Sequence, residues 1–181
     1  MITAPQRIFR HHHPYVLNRP VYEAAVDLLA SAVARSGPVT AVIGIAGGGT
    51  EPAERIAARL GSPGCRVTAR HNISDDLYAQ ATGTVEVAVP GDFPEALGGR
   101  LLLVDDICGT GATFTAVTAA LTARLAPDTQ VETLALCRNV GSPLRPDRWA
   151  WDVDDWVVFP WETPPEVPVR PLLPPERIKT P

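Results

Sequence analysis

The stretch LLLVDDICGTGAT, residues 101–113, constrains the fold more than any other part of the chain. Its apolar start predicts a buried strand over 100–104, and the small-residue loop that follows leads into a helical pattern over 112–125. In an open parallel sheet, ligands bind beyond the carboxyl ends of the strands. The pattern therefore predicts that Asp105 and Asp106 lie at the edge of a sheet where a ligand binds.

The remainder of the chain repeats this alternation of strand and helix patterns. Helices are predicted over 20–36, 51–60 and 112–125. Strands are predicted over 40–46, 65–70, 84–89, 100–104, 130–137 and 156–159, with a polar loop over 71–83. Alternating elements of this kind predict the α/β class, with a mostly parallel sheet flanked by helices.

Length and proline content indicate how the chain is organised into domains. A chain of 181 residues that is 45% hydrophobic suits one domain with a substantial core, so we expect a single domain over 1–181 with its core at about 20–162. Many of the 19 prolines crowd the last quarter of the chain. The tail over 163–181 is therefore predicted to be extended, either as a strap or as a loose end.

Charge and composition limit the kinds of partner that the protein is expected to bind. A net charge of −4 offers no basic surface for nucleic acid or an anionic membrane, and no apolar run is long enough to cross a bilayer. Three widely spaced cysteines form neither a disulfide framework nor a zinc motif. We therefore expect a cytoplasmic protein that binds neither nucleic acid nor membrane.

The loop after the aspartates has the chemistry of a phosphate cradle. Gly109 and Gly111 allow a tight path, Thr110 and Thr113 add hydroxyl donors, and a helix N-terminus favours an anion. The loop has no lysine, which excludes a Walker loop. Two carboxylates beside such a cradle suit a sugar phosphate, and they also suit Mg²⁺. The plainer alternative, an acidic strand end before a capped helix, explains less of the pattern.

LLLVDDICGTGAT closely resembles the phosphoribosyl-pyrophosphate (PRPP) motif of type I phosphoribosyltransferases. The resemblance implies that Asp105 and Asp106 bind the ribose 2′- and 3′-hydroxyls and act in catalysis. It also implies that the 5-phosphate is held by the loop residues Cys108, Gly109, Thr110, Gly111, Ala112 and Thr113.

A second glycine-rich loop agrees with this resemblance. GIAGGGTEPA (44–53) follows the first predicted strand at the position of the family's pyrophosphate loop, which implies that Ala46, Gly47 and Gly48 bind PRPP. Ala46 replaces the residue that is often charged in the family. Residues 71–84 match in position the family's flexible catalytic loop.

DWVVFPWE (155–162) resembles the base-binding segment of bacterial and archaeal 6-oxopurine phosphoribosyltransferases. The resemblance implies that Trp156 stacks on the base and that Val157 contacts it through its main chain. Glu162 matches an acid that helps Asp105 and Asp106 to hold Mg²⁺. Arg138 matches the lysine that contacts the 6-oxo group. The other tryptophans, at 149, 151 and 161, are interpreted as structural.

Two departures from the pattern of the 6-oxopurine enzymes leave the identity of the acceptor base open. The 6-oxopurine enzymes carry a third aspartate in the loop, near N7 of the base, where this chain has Gly109. Arg138 in place of lysine presents a fork of donors rather than a point charge. Cys108 is interpreted as a small loop residue rather than a nucleophile, and the His11–His13 run as a surface segment near a hood.

The prediction is a Mg²⁺-dependent phosphoribosyltransferase that moves a 5-phosphoribosyl group from PRPP to a heterocyclic, purine-like base. The resemblance further implies a homodimer, and a small hood formed by the N- and C-terminal segments. Two alternatives stay open: a regulator that binds PRPP on the same fold, and an enzyme for an unusual base in specialised metabolism.

Overall fold

The computed structural model describes residues 5–71, 76–80 and 84–181. Its strands are β1 (Tyr15–Val16), β2 (Ala41–Ala46), β3 (Gly64–Arg70), β4 (Glu86–Ala88), β5 (Arg100–Cys108), β6 (Gln130–Asn139), β7 (Arg148–Val153), β8 (Val157–Val158) and β9 (Arg170–Pro171). Its helices are α1 (Arg19–Ala34), α2 (Thr50–Leu60), α3 (Ala112–Leu121) and a 3₁₀ turn at Thr122–Arg124.

Six strands form the large sheet, in the order β4-β3-β2-β5-β6-β7. All neighbours in it are parallel except β3 and β4, which are antiparallel. The predicted α/β class with a mostly parallel sheet is thus confirmed. Because β2 and β5 pair with Gly44 opposite Val104, the loops that follow these two strands emerge side by side.

The core covers both faces of this sheet. Leu102 and Val104 pack in one apolar cluster with α1 and α2, whereas Leu101 and Leu103 pack in a second cluster with α3. All four side chains are fully buried, as a strand covered on both faces requires. The run of consecutive apolar residues in β5 is explained by this double burial.

The helices begin and end where local chemistry favours it. The Asn18 side chain accepts a hydrogen bond from the Val21 N–H (3.0 Å) at the start of α1, where Pro20 occupies the first turn. Gly61 ends α2 in the left-handed conformation, with a φ of 64°. In the third predicted helix, the α-helix ends at Leu121 and gives way to the 3₁₀ turn.

A second, three-stranded sheet has the order β8-β1-β9 and is parallel throughout. It joins the N-terminal segment to the C-terminal tail, so the predicted hood of terminal segments is confirmed. The tail is not a loose end, because Leu172 is buried in the main core and Lys179 pairs with Trp149 of β7 through two backbone hydrogen bonds. No helix among the described residues is long and apolar enough to cross a membrane.

Candidate active site

A cleft of about 1030 Å³ opens at the carboxyl ends of β2 and β5. The turn after β2 lines it through residues 46–48, and the end of β5 with the following loop lines it through residues 105–111. The far wall contains Trp156 and Val157. The structure therefore brings together the predicted loops and the predicted base-binding segment in one cavity.

Asp105 and Asp106 form the acidic centre of this cleft. Strand β5 continues through both residues, so they belong to its end rather than to the loop after it. Asp105 is buried, and one of its carboxylate oxygens accepts a hydrogen bond from the Asp106 N–H (2.9 Å). Burial and the neighbouring Asp106 charge raise the pKa of Asp105 well above its usual value. Burial and then the Glu162 charge raise the pKa of Asp106 to about 6.

The glycine turn after β2 closes tightly on this pair. A Cβ atom at Gly48 would lie 1.6 Å from the Asp106 Oδ2 atom, and Gly47 adopts a φ of 100°. Only glycine allows the backbone to pass so close to a carboxylate. The turn therefore brings main-chain groups and a carboxylate close together. Main-chain N–H groups can bind an anion, and the carboxylate can accept hydrogen bonds from hydroxyls.

The loop after β5 presents small residues to the cleft. Gly109, Thr110, Gly111 and Thr113 all line it, whereas Ala112 begins α3 and does not. Cys108 is buried, with its Sγ 3.4 Å from the Ser142 hydroxyl oxygen. Burial raises the pKa of Cys108 to about 11, so the thiol stays protonated at neutral pH and is no nucleophile in this state.

Aromatic side chains form the opposite wall. The Trp156 ring centroid lies 6.0 Å from that of Phe9 and 6.3 Å from that of Tyr78. Trp149 and Trp151 are buried in the core, and Trp161 packs on other aromatic rings away from Trp156. Of the four tryptophans, Trp156 is the one that lines this cleft.

Arg138 does not line the cleft, and its side chain binds other partners. Its guanidinium donates to the carbonyls of Ser142 (2.8 Å) and Leu144 (3.3 Å), and to the Asp152 carboxylate (3.2 Å). It also lies over the Trp149 ring, 5.8 Å from the centroid. These contacts hold the side chain against the turn that follows β6, where it ties that turn to β7.

The carboxylates fit a Mg²⁺ ion that arrives with a phosphorylated substrate. Glu162 lies near enough to influence Asp106, and its carboxylate accepts a hydrogen bond from the Phe159 N–H (2.8 Å). Within the described part of the chain, no three His, Cys, Asp or Glu side chains converge as a ligand set. Mg²⁺ is usually held by one or two carboxylates with water and substrate phosphate oxygens. The donors Asp105, Asp106 and Glu162 fit that role but do not form a closed protein cage.

Sequence reasoning missed the part of the site that comes from the N-terminus. Arg7 and Phe9 line the cleft beside Trp156, and Gln80 binds the Arg7 backbone. The sequence carries only a weak signal for this segment. Arg7 and Phe9 are two residues apart, a spacing that would place both on one face of an extended segment. Gln80 lies in the predicted catalytic loop, of which residues 72–75 and 81–83 are outside the described residues.

The fold and this site define an α/β enzyme class, and the family follows from comparison with known proteins. The family model described as "Phosphoribosyl transferase domain" matches residues 16–167. The chain therefore belongs to the phosphoribosyltransferase family, and the predicted class of enzyme is confirmed.

Individual relatives indicate the branch of the family. The chain is 30% identical over 168 residues to the xanthine-guanine phosphoribosyltransferase of Gluconobacter oxydans, covering 91% of this chain and 93% of that protein. The purine phosphoribosyltransferase of Pyrococcus horikoshii shares the fold with a TM-score of 0.69 at 22% identity, over 85% of this chain and 97% of that one. The xanthine-guanine-hypoxanthine phosphoribosyltransferase of Helicobacter pylori has a TM-score of 0.67 at 18% identity, over 83% and 94% of the two chains.

Proposed function

We propose that this protein transfers the 5-phosphoribosyl group of PRPP to a nitrogen of a purine-like base and releases pyrophosphate. The observation that carries the proposal is that the Asp105–Asp106 pair and Trp156 line the same cleft. Family membership and a relative named as a xanthine-guanine phosphoribosyltransferase support the same reaction and a purine-like acceptor.

Each part of the cleft has a role in this proposal. The ionised carboxylates of Asp105 and Asp106 accept hydrogen bonds from the vicinal ribose hydroxyls, and the loop over 108–113 holds the 5-phosphate. The turn over 46–48 holds the pyrophosphate through main-chain donors, because Ala46 offers no charge. Trp156 stacks on the base, and the Val157 backbone contacts its edge.

The chemistry needs orientation and charge more than a covalent step. A base nitrogen attacks C1 of the ribose as the bond to pyrophosphate breaks, the proton of that nitrogen is released to solvent, and inversion gives the nucleoside 5′-monophosphate. The acidic pair positions the ribose and stabilises the positive charge that develops on its ring. Asp105, Asp106 and Glu162 would hold Mg²⁺, which would supply charge neutralisation for the pyrophosphate.

Three further features belong to the proposal. The chain acts as one phosphoribosyltransferase domain, it forms a homodimer, and it works in the cytoplasm. The N-terminal segment and Gln80 meet at Arg7, which lines the cleft. They are placed to keep water from the reacting ribose, which would otherwise hydrolyse.

The test is pyrophosphate release from PRPP with Mg²⁺ against adenine, guanine, hypoxanthine and xanthine. We expect release that depends on at least one base. In the double variant Asp105→Asn with Asp106→Asn, turnover should fall by about 1000-fold or more, because the ribose loses its charged acceptors.

The matched control is Asp92→Asn, which changes an exposed loop residue and should leave turnover unchanged. Unchanged turnover in the double variant, with a folded protein by circular dichroism, would contradict the proposal. Tight PRPP binding by the wild type without release for any base would instead favour a PRPP-binding regulator.

A further inference from the structure

Arg7 reaches into the cleft from the N-terminal strap, which we define as residues 5–14. Its side-chain stem lies against Gly109, where an added Cβ atom would be 2.9 Å from the Arg7 Cδ atom. Its guanidinium carbon lies 5.2 Å from the Trp156 ring centroid and 5.5 Å from that of Phe9. An arginine therefore occupies the region between the small-residue loop and the tryptophan proposed to stack on the base.

The strap is anchored at this arginine and at the residue that follows it. The Gln80 side chain accepts from the Arg7 N–H and donates to the Arg7 carbonyl, both at 2.9 Å. The buried Asn139 side chain pairs in the same way with the Ile8 backbone, at 2.8 and 3.0 Å. Two amide side chains thus fix the backbone at consecutive residues, which gives the Arg7 side chain a defined direction.

The hydrogen bonds of this wall are incomplete. Among the residues that the structure describes, neither the buried Arg7 Nε–H nor the buried Tyr78 hydroxyl has a hydrogen-bond partner, although Arg7 Nη2 donates to the Ala79 carbonyl. In the described part of the chain, no carboxylate lies within 4 Å of the Arg7 guanidinium, although Asp106 attracts it from further away. Buried donors without acceptors are costly, so this wall is built for something that supplies acceptors.

We infer that Arg7 is a specificity-determining residue that reads the base through acceptors. This inference rests on the proposed function and deepens it. The acceptor base is then one that presents oxo groups or a negative charge towards Arg7. A base that presents amino groups there leaves the Arg7 Nε–H unpaired.

Gly109 leaves room for the Arg7 side chain. A side chain at this position would meet the Arg7 stem, so the arginine and the glycine are mutually compatible choices. The loop consequently offers neither bulk nor a carboxylate on this side of the cleft. The positive charge of Arg7 therefore lies beside Gly109, a loop position without an acid. This charge would stabilise a base that binds in its deprotonated form.

The experiment compares Arg7→Met, Arg7→Lys and the matched control Arg10→Met by steady-state kinetics. Arg10 lies on the same strap, but its side chain is mostly exposed and pairs with Asp154 outside the cleft. The bases are xanthine and hypoxanthine, which carry oxo acceptors, and adenine, which carries an amino donor. The KM for PRPP is measured with each variant.

For Arg7→Met we expect kcat/KM for the two oxopurines to fall by about 10- to 100-fold, and that for adenine by less than about 3-fold. The KM for PRPP should not change. Arg7→Lys keeps the charge but has no Nε–H, so it should recover only part of the loss. Arg10→Met should behave like the wild type.

Equal losses for all bases, no loss, or a higher KM for PRPP with unchanged base preference would each overturn the inference. In those cases the wild type still turns over a base, so the proposed function stands. If the wild type releases no pyrophosphate with any base, the proposed function fails and this inference falls with it. Thermal unfolding of each variant confirms that the comparison is between folded proteins.

Discussion

At the scale of single residues, the acidic pair is a site where function opposes stability. Asp105 and Asp106 are adjacent, largely removed from water and close to a third carboxylate, so their charged forms are disfavoured in the folded chain. Such an arrangement is typical of groups kept for a ligand that neutralises them.

Replacing Asp106 by asparagine should stabilise the unliganded protein at neutral pH. Because folding raises the Asp106 pKa to about 6, the folded chain holds this proton more tightly than the unfolded chain. The wild-type free energy of unfolding therefore loses this contribution as pH rises from about 4 to about 6. We expect Asp106→Asn to match the wild type near pH 4 and to be more stable by about 1–3 kcal/mol at pH 7.5.

Urea unfolding at both pH values measures this difference, with Asp92→Asn as an exposed control. A difference between variant and wild type that does not grow with pH would show that the carboxyl is not held at a raised pKa. Adding PRPP and Mg²⁺ should reverse the order of stability, because only the wild type binds them tightly.

At the scale of elements, the connection between β7 and β8 organises the hood. Asp155 in this connection is fully buried, and its carboxylate accepts from the His11 N–H (3.0 Å), the His13 N–H (3.4 Å) and the Trp156 N–H (3.1 Å). Arg170 of β9 lies 3.4 Å from it. One carboxylate thus joins the strap, the base-side wall and the tail.

Replacing Asp155 by alanine should release the strap. Three backbone donors and an arginine lose their acceptor, so we expect the free energy of unfolding to fall by about 2–4 kcal/mol. Hydrogen exchange at the His11 and His13 amides should accelerate beyond the change that global stability explains. The control Asp92→Ala should show neither effect. If the His11 and His13 amides were protected in Asp155→Ala as well as in the wild type, Asp155 would not hold the strap.

The short elements are also where sequence reasoning was weakest. The two-residue strands β1 and β9 carry no periodicity that a sequence pattern can reveal, and they form only because distant segments pair. Strand β7 was missed as well, although its tryptophans were interpreted as structural, because its apolar residues stand close to a run of aspartates. The longer predicted strands and helices all exist, and most differences lie at their ends.

At the scale of the whole molecule, the proline-rich tail is part of the core. Leu172 is 6% exposed and packs in the main apolar cluster, whereas its neighbour Leu173 is 72% exposed. The Leu173 carbonyl accepts a hydrogen bond from the Trp151 indole N–H (2.9 Å), which fixes the chain direction at this point. Two adjacent leucines therefore offer a matched pair of substitutions.

Leu172→Ala should lower the free energy of unfolding by about 2–4 kcal/mol, since it leaves a cavity in the core. Leu173→Ala should change it by less than about 0.5 kcal/mol, because its side chain is in water and the backbone hydrogen bond stays. Denaturant unfolding of both variants is the measurement. Similar values for the two would mean that the tail does not contribute to the main core.

By itself, the sequence determined the α/β class, the acidic strand end and the glycine turns, because these depend on local patterns of apolar and small residues. The tertiary structure alone decided that Arg138 ties a turn to β7, and that Arg7 enters the cleft beside Gly109. The direction of a long cationic side chain depends on which distant acceptors surround it. That information arises only when segments more than a hundred residues apart, such as Ile8 and Asn139, are brought into contact.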